Sequence, residues 1–119
     1  MVIEPEDNIS KQEAVKLCQT VKTIEIAKDP DSRPKNAAFL TRFELFDEDV
    51  RDIIHSITLS DYRAGPEEDK NPSLKRPVWK FVKYINSIGI EIYIKIKFIN
   101  NKHKIYVVSI HEEGLHDED

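Results

Sequence analysis

The chain has 119 residues, 34% charged and 39% hydrophobic, enough for one core but not two and too polar for a bilayer-spanning run. A single domain over 1–119 is expected, with no signal segment and hence a cytoplasmic location. One cysteine, Cys18, excludes an internal disulfide, and no Cys/His cluster has zinc spacing, so neither metal nor cofactor is expected.

The formal charge of −4 is unevenly laid out: nine bases and one acid lie between Lys70 and His111, giving that segment +8 and leaving −12 for the rest. Phosphates respond to local potential rather than net charge, so a basic segment on an acidic chain points to a polyanion. Lysines that blunt exposed sheet edges are the plain alternative.

Residues 1–9 are acidic and unpatterned and, with 112–119, are read as tails. Ser10 and Glu13 have capping-box spacing, so a helix is predicted from there, with Ala14, Leu17, Cys18 and Val21 as its apolar stripe. Cys18 reads as a small core residue rather than a catalytic thiol. Thr23 to Ala27 suits a short edge strand. Pro30 and Pro34 mark 28–35 as loop, after which Asn36 reads as the N-cap of a second helix through Phe39, Leu40 and Phe43. Arg33 and Lys35 stand just before that helix, where anions are favoured, so they are phosphate-binding candidates; an ordinary solvated loop fits them equally well. Asp47 is read as the cap of a third helix, with Glu48 and Asp49 in its first turn and Val50, Ile53, Ile54 and Ile57 buried. His55 lies off that stripe and reads as inert surface.

Asp61 to Asp69, with Gly65-Pro66 inside it and a polar stretch after it, reads as a turn and a long loop. From Val78 to Ile85, Trp79, Phe81, Lys83 and Ile85 alternate with Val78, Lys80, Val82 and Tyr84. The clearest pattern is Gly89 to Phe98, where isoleucine or phenylalanine alternates with Glu91, Tyr93, Lys95 and Lys97. Such a strand has one dry face and one that carries a phenol and two ammonium groups. A turn at Asn100 to Lys102 leads to a last strand, Ile105 to His111. Three strands in sequence predict an antiparallel meander, and three preceding helices predict α+β, with the helices on one face of a small antiparallel sheet.

The register of the last hairpin decides where its polar groups go. Placing Ile99 opposite His103 pairs Lys97 with Ile105, Lys95 with Val107, Tyr93 with Ser109 and Glu91 with His111. Tyr106, Val108 and Ile110 then enter the core, and Tyr93, Lys95, Ser109 and His111 gather on the solvent side. A slip by one residue would bury Ser109 and His111 beneath the helices.

Five features, in order, carry a resemblance to a known family: Arg33-x-Lys35-Asn36, Asp61-Tyr62-x-x-Gly65-Pro66-x-x-Asp69, Trp79-x-Phe81, Gly89-x-x-x-Tyr93-Ile94-Lys95 and Ser109-x-His111. Together they cover most of 33–111, and in order and spacing the chain resembles the MqsR-like toxins of bacterial type II toxin-antitoxin modules. The resemblance implies the small α+β fold of RelE-type ribonucleases, messenger RNA as substrate, and a cognate antitoxin as partner. The ribosome is a further partner to consider, and no membrane is involved. The family's active surface maps to Tyr93 on the central strand, Arg63 in the loop after the helices, Lys80 beside Trp79, and His111 at the end of the last strand. Histidine stands here where the best-known branch has lysine.

Cleavage by attack of a 2′-hydroxyl on phosphorus needs a base, an acid for the leaving 5′-oxygen, and cations for the charge on phosphorus. Lys95 and Arg63 would stabilise the phosphate, His111 would transfer protons, and Tyr93 would orient or protonate. Lys80, Lys83, Lys97, Arg33, Lys35 and Tyr62 complete the RNA-binding candidates, with Trp79 either stacking a base or filling the core. The competing reading is a binding module whose basic sheet grips RNA or a protein without turnover.

Overall fold

The computed structural model describes residues 8–69 and 76–114. The tails read at 1–7 and 115–119, and the part of the long loop at 70–75, lie outside them. Ser10 starts the first helix as its spacing predicts: its hydroxyl accepts from the Glu13 N–H at 3.1 Å, and α1 runs over Lys11–Thr20 with Ala14, Val15 and Cys18 buried. Desolvation pushes the Cys18 thiol up to about 12, which keeps it a neutral packing group. Ile9, read as tail, packs against the core.

The other two helices begin one step away from the residues expected to cap them. α2 spans Pro34–Arg42, with Arg33 at its cap position and Pro34 in its first turn, where a missing N–H costs nothing. Asn36 is therefore a residue of the first turn and not the cap. α3 spans Asp47–His55, and the Asp49 carboxylate accepts from the Phe46 N–H at 2.8 Å, so Asp47 is the first helical residue. His55 is not inert surface: its Nε2 donates to the Val21 carbonyl at 2.8 Å and ties the end of α3 to the end of α1.

The sheet has five strands: β1 (Thr23–Ile26), β2 (Tyr62–Glu67), β3 (Val78–Ile85), β4 (Ile90–Ile99) and β5 (Lys104–Glu112), in the order β1-β5-β4-β3-β2. It is mixed rather than purely antiparallel, because β1 runs parallel to β5. Glu112 belongs to β5 and not to a tail. The stretch read as turn and loop after Asp61 contains β2, an edge strand whose pairing to β3 is interrupted twice. An edge tolerates Pro66. Gly65 is there for a close approach: a Cβ at that position would lie 2.9 Å from the Trp79 Cα, the Trp79 ring and the Val78 carbonyl.

One face of the sheet carries the core. Trp79, Phe81, Ile92, Ile94, Ile96, Phe98, Ile105, Val107 and Ile110 meet Ala14 and Cys18 of α1, Phe39 and Leu40 of α2, and Val50, Ile53 and Ile54 of α3. Ile105 and Val107 are two apart, but Val107 and Ile110 are three apart, and a bulge between them makes this possible. Ile96 pairs with Val107 and Lys95 with Ser109, leaving Val108 as the extra residue. The observed pairs are thus Lys97 with Tyr106, Lys95 with Ser109 and Tyr93 with His111. The expected pairing fails because it assumed one register throughout. Either uniform register would turn some of β5's apolar side chains away from the helices; the bulge switches parity and brings Ile105, Val107 and Ile110 inward. Tyr106 consequently stays out of the core.

Asn36 holds this bulge in place. Its Nδ2 donates to the Val108 carbonyl at 2.9 Å and the Ala27 carbonyl at 2.7 Å, and its Oδ1 accepts from the Ile110 N–H at 2.9 Å. β1 stops at Ile26, so beyond Val107 no strand among the described residues lies beside the outer edge of β5. The buried Asn36 amide supplies both a donor and an acceptor there, continuing the ladder with a side chain.

Candidate active site

The face of the sheet away from the helices arranges its polar groups in rows across β3, β4 and β5. Lys80, Lys95 and Ser109 form one row; Val82, Tyr93 and His111 form the next; Lys97 and Tyr106 flank the first on its other side. The bulge puts Ser109 and His111 in these rows. Tyr93 and His111 have ring centroids 5.3 Å apart at an interplanar angle of 33°. The structure thus brings together Tyr93, Lys95, His111, Lys80 and Lys97 of the residues singled out above, with Ser109 between them.

This face is not the open surface expected of it. Lys95 is 2%, Lys97 1%, Ser109 0% and His111 2% exposed. Charge satisfied within the chain is one physical reason: the Asp69 carboxylate, from the segment after β2, approaches Lys97 Nζ to 2.8 Å and Lys95 Nζ to 3.9 Å. Buried ammonium groups need such a partner. Lys80, nearer the edge, pairs with Glu67 at 2.9 Å. The Nδ1 of His111 lies 3.1 Å from the Glu112 carbonyl, which can only accept, so Nδ1 carries the proton and Nε2 is the basic nitrogen of the neutral ring.

The remaining candidates sit elsewhere, each for a structural reason. Trp79 is 1% exposed in the core, with its ring edge-on to Phe98 and tilted against Tyr62, so it is not placed to stack a base. Tyr62 packs on the helix side against Trp79 and Phe81, and its hydroxyl donates to the Gly65 carbonyl at 2.7 Å. Lys83, opposite Ile92, faces the helix side and pairs with Asp61 at 3.2 Å. Arg63 is on edge strand β2, with β3 between it and Tyr93; its Nη1 donates to the Ser60 carbonyl at 3.0 Å and the Tyr62 carbonyl at 3.1 Å. Arg33 and Lys35 flank the start of α2, and Arg33 lines a cleft of about 410 Å³ that Tyr106 also lines.

Sequence reasoning missed the roles of two residues. Asp69 stood in the motif with no role, and nothing local signals that a carboxylate reaches lysines 26 and 28 positions further on. Asn36 had a nearer explanation as a cap. Much of the motif is accounted for by folding contacts: Asp61 holds Lys83 and accepts from the Thr58 N–H at 2.8 Å, Tyr62 bonds to Gly65, and Gly65 lies against Trp79. Among the described residues, no three His, Cys, Asp or Glu side chains gather to hold a metal ion, and no helix is long and apolar enough to cross a membrane. Compared with protein-family models, curated proteins and solved structures, the chain matches none.

Proposed function

We propose that the chain is an endoribonuclease toxin resembling the MqsR-like, RelE-type enzymes, which cleaves messenger RNA through its own side chains and is neutralised by a cognate antitoxin. The observation that carries this is the adjacency of Tyr93, Lys95, Ser109 and His111 on β4 and β5, paired antiparallel across the bulge that Asn36 braces from the outer edge of β5. Because His111 Nε2 is buried and Lys95 is only 2% exposed, this face must open to admit RNA. His111 Nε2 then removes the proton from the 2′-hydroxyl, the new bond forms from that oxygen to phosphorus, and the bond to the 5′-oxygen breaks to leave a 2′,3′-cyclic phosphate. The leaving oxygen takes its proton from the Tyr93 hydroxyl or from the imidazolium just formed. Lys95 balances the charge on the phosphoryl oxygens. Lys80 is the outer contact to the RNA backbone; Arg63, Lys83, Tyr62 and Trp79 are engaged in folding contacts and take no part.

Purified protein incubated with a defined RNA, with and without ribosomes, tests this. His111→Ala and Lys95→Ala are each expected to slow cleavage by about 100-fold or more, the usual contribution of a positioned proton-transfer or charge-stabilising group. Variants that fold normally and cleave as fast as the parent would refute the assignment. A parent protein that binds RNA, leaves it intact and does not arrest growth when expressed would favour the binding module.

A further inference from the structure

Lysine is among the residues least often fully buried, and a buried charge persists only where an opposite charge meets it. Lys95 and Lys97 are two residues apart on β4, so their ammonium groups leave the same face. One carboxylate reaches both: Asp69 Oδ2 is 2.8 Å from Lys97 Nζ, and Oδ1 is 3.9 Å from Lys95 Nζ. The three side chains are between 1% and 4% exposed, on the face away from the helical core. Apolar side chains of similar size commonly match or exceed a buried ion pair in stability, so packing alone does not account for three ions here. What such a pair of ammonium groups reads is two equivalent anionic oxygens on one centre, and a phosphodiester offers the same pair as a carboxylate.

We propose that Lys95 and Lys97 form a phosphodiester-binding subsite and that Asp69 is its internal occupant, displaced when single-stranded nucleic acid binds. For the identity of its ligand this assignment rests on the ribonuclease reading. It gives Lys97 a binding role and makes Asp69 a competitor of the substrate rather than a participant in its chemistry. Its position fits that task, because Lys95 lies beside Ser109 and one row from the Tyr93 and His111 rings.

The probe is a short, dye-labelled, all-deoxy oligonucleotide, which lacks the attacking hydroxyl and stays intact, with binding read by fluorescence anisotropy at fixed salt. Asp69→Asn is expected to bind it about tenfold more tightly than the parent, a change of about 1.4 kcal/mol. Adding Lys97→Gln should abolish the gain. Glu91→Gln removes one negative charge from the same face and measures the non-specific part, expected to be under about twofold. The proposal is overturned if Asp69→Asn gains no more than Glu91→Gln, or if the gain survives Lys97→Gln. Should Asp69→Asn not fold, inorganic phosphate titrated into the parent and followed by amide NMR decides: shifts centred on Asp69, Lys95 and Lys97 support the subsite, and their absence overturns it. All-ribose RNA separates the two readings. A binding gain with no cleavage by the parent leaves the subsite and sinks the nuclease; cleavage by the parent with no gain sinks the subsite alone.

Discussion

Replacing Asn36 with alanine removes three hydrogen bonds at one stroke, from a side chain in a residue only 1% exposed. The loss leaves the Ile110 N–H and the Val108 and Ala27 carbonyls to be satisfied some other way. A buried backbone group without a partner costs about 1–3 kcal/mol, and carbonyls relax more easily than an N–H, so the expected destabilisation is about 3 kcal/mol in total. Asn36→Asp separates the contributions, because it keeps an oxygen for the Ile110 N–H but turns a second one towards two carbonyl oxygens; it should cost as much as alanine or more. Urea unfolding measures both, with an unchanged m-value expected because the surface exposed on unfolding barely changes. Hydrogen exchange adds a local readout, since the Ile110 amide should lose protection before its neighbours on the core face. A loss under about 0.5 kcal/mol, the scale of a surface substitution, together with a protected Ile110 amide, would refute the claim that Asn36 stands in for a strand.

Gly65→Ala should cost about 3 kcal/mol, because the new methyl meets backbone atoms of Val78 and Trp79 at 2.9 Å and neither can swing aside; urea unfolding with near-ultraviolet dichroism of Trp79 checks it, and a neutral result contradicts the geometry. Lys102 ends a run of three left-handed residues, with φ of 52°, 55° and 65°, and unlike the two asparagines before it has no preference for that region. Lys102→Gly is therefore expected to stabilise by about 0.5–1 kcal/mol in thermal unfolding. Cys18 ties stability to alkaline pH. Its thiol is at about 12 folded and near 9.0 unfolded, so the unfolded chain releases its proton first. Its contribution is complete below pH 9 and is lost between 9 and about 12 at about 1.4 kcal/mol per pH unit. The difference in stability between the parent and Cys18→Ala should shrink along that slope, and a difference that stays flat above pH 9 would show that the thiol is not desolvated.

Local patterns were legible where one residue's surroundings come from its near neighbours. The β4 alternation, the Ser10 cap and the stripes of α1 and α3 all depend on spacing along a single element, and each stands in the structure. β2 was hidden because Gly65-Pro66 carries the chemistry of a turn, whereas the glycine is required by Trp79, fourteen positions later. The register of β5 was hidden because a bulge has no period: Val108 is as apolar as the residues around it, and the amide that stabilises the irregularity lies 72 positions earlier. The polar face was correctly gathered and wrongly exposed. Alternation says which side of a strand a lysine leaves, but not whether a carboxylate from another segment will cover it.

The parallel pairing of β1 with β5 sets the order in which the molecule can be assembled. Thr23 waits for Lys104 and Asn36 waits for Ile110, so a nascent chain has made all three helices long before either finds its place on the sheet. Contacts that close loops of this length are slow to form. A ribosome that stalls before releasing β5 leaves a chain without the strand that carries His111, and the polar rows come into being only once β5 has emerged.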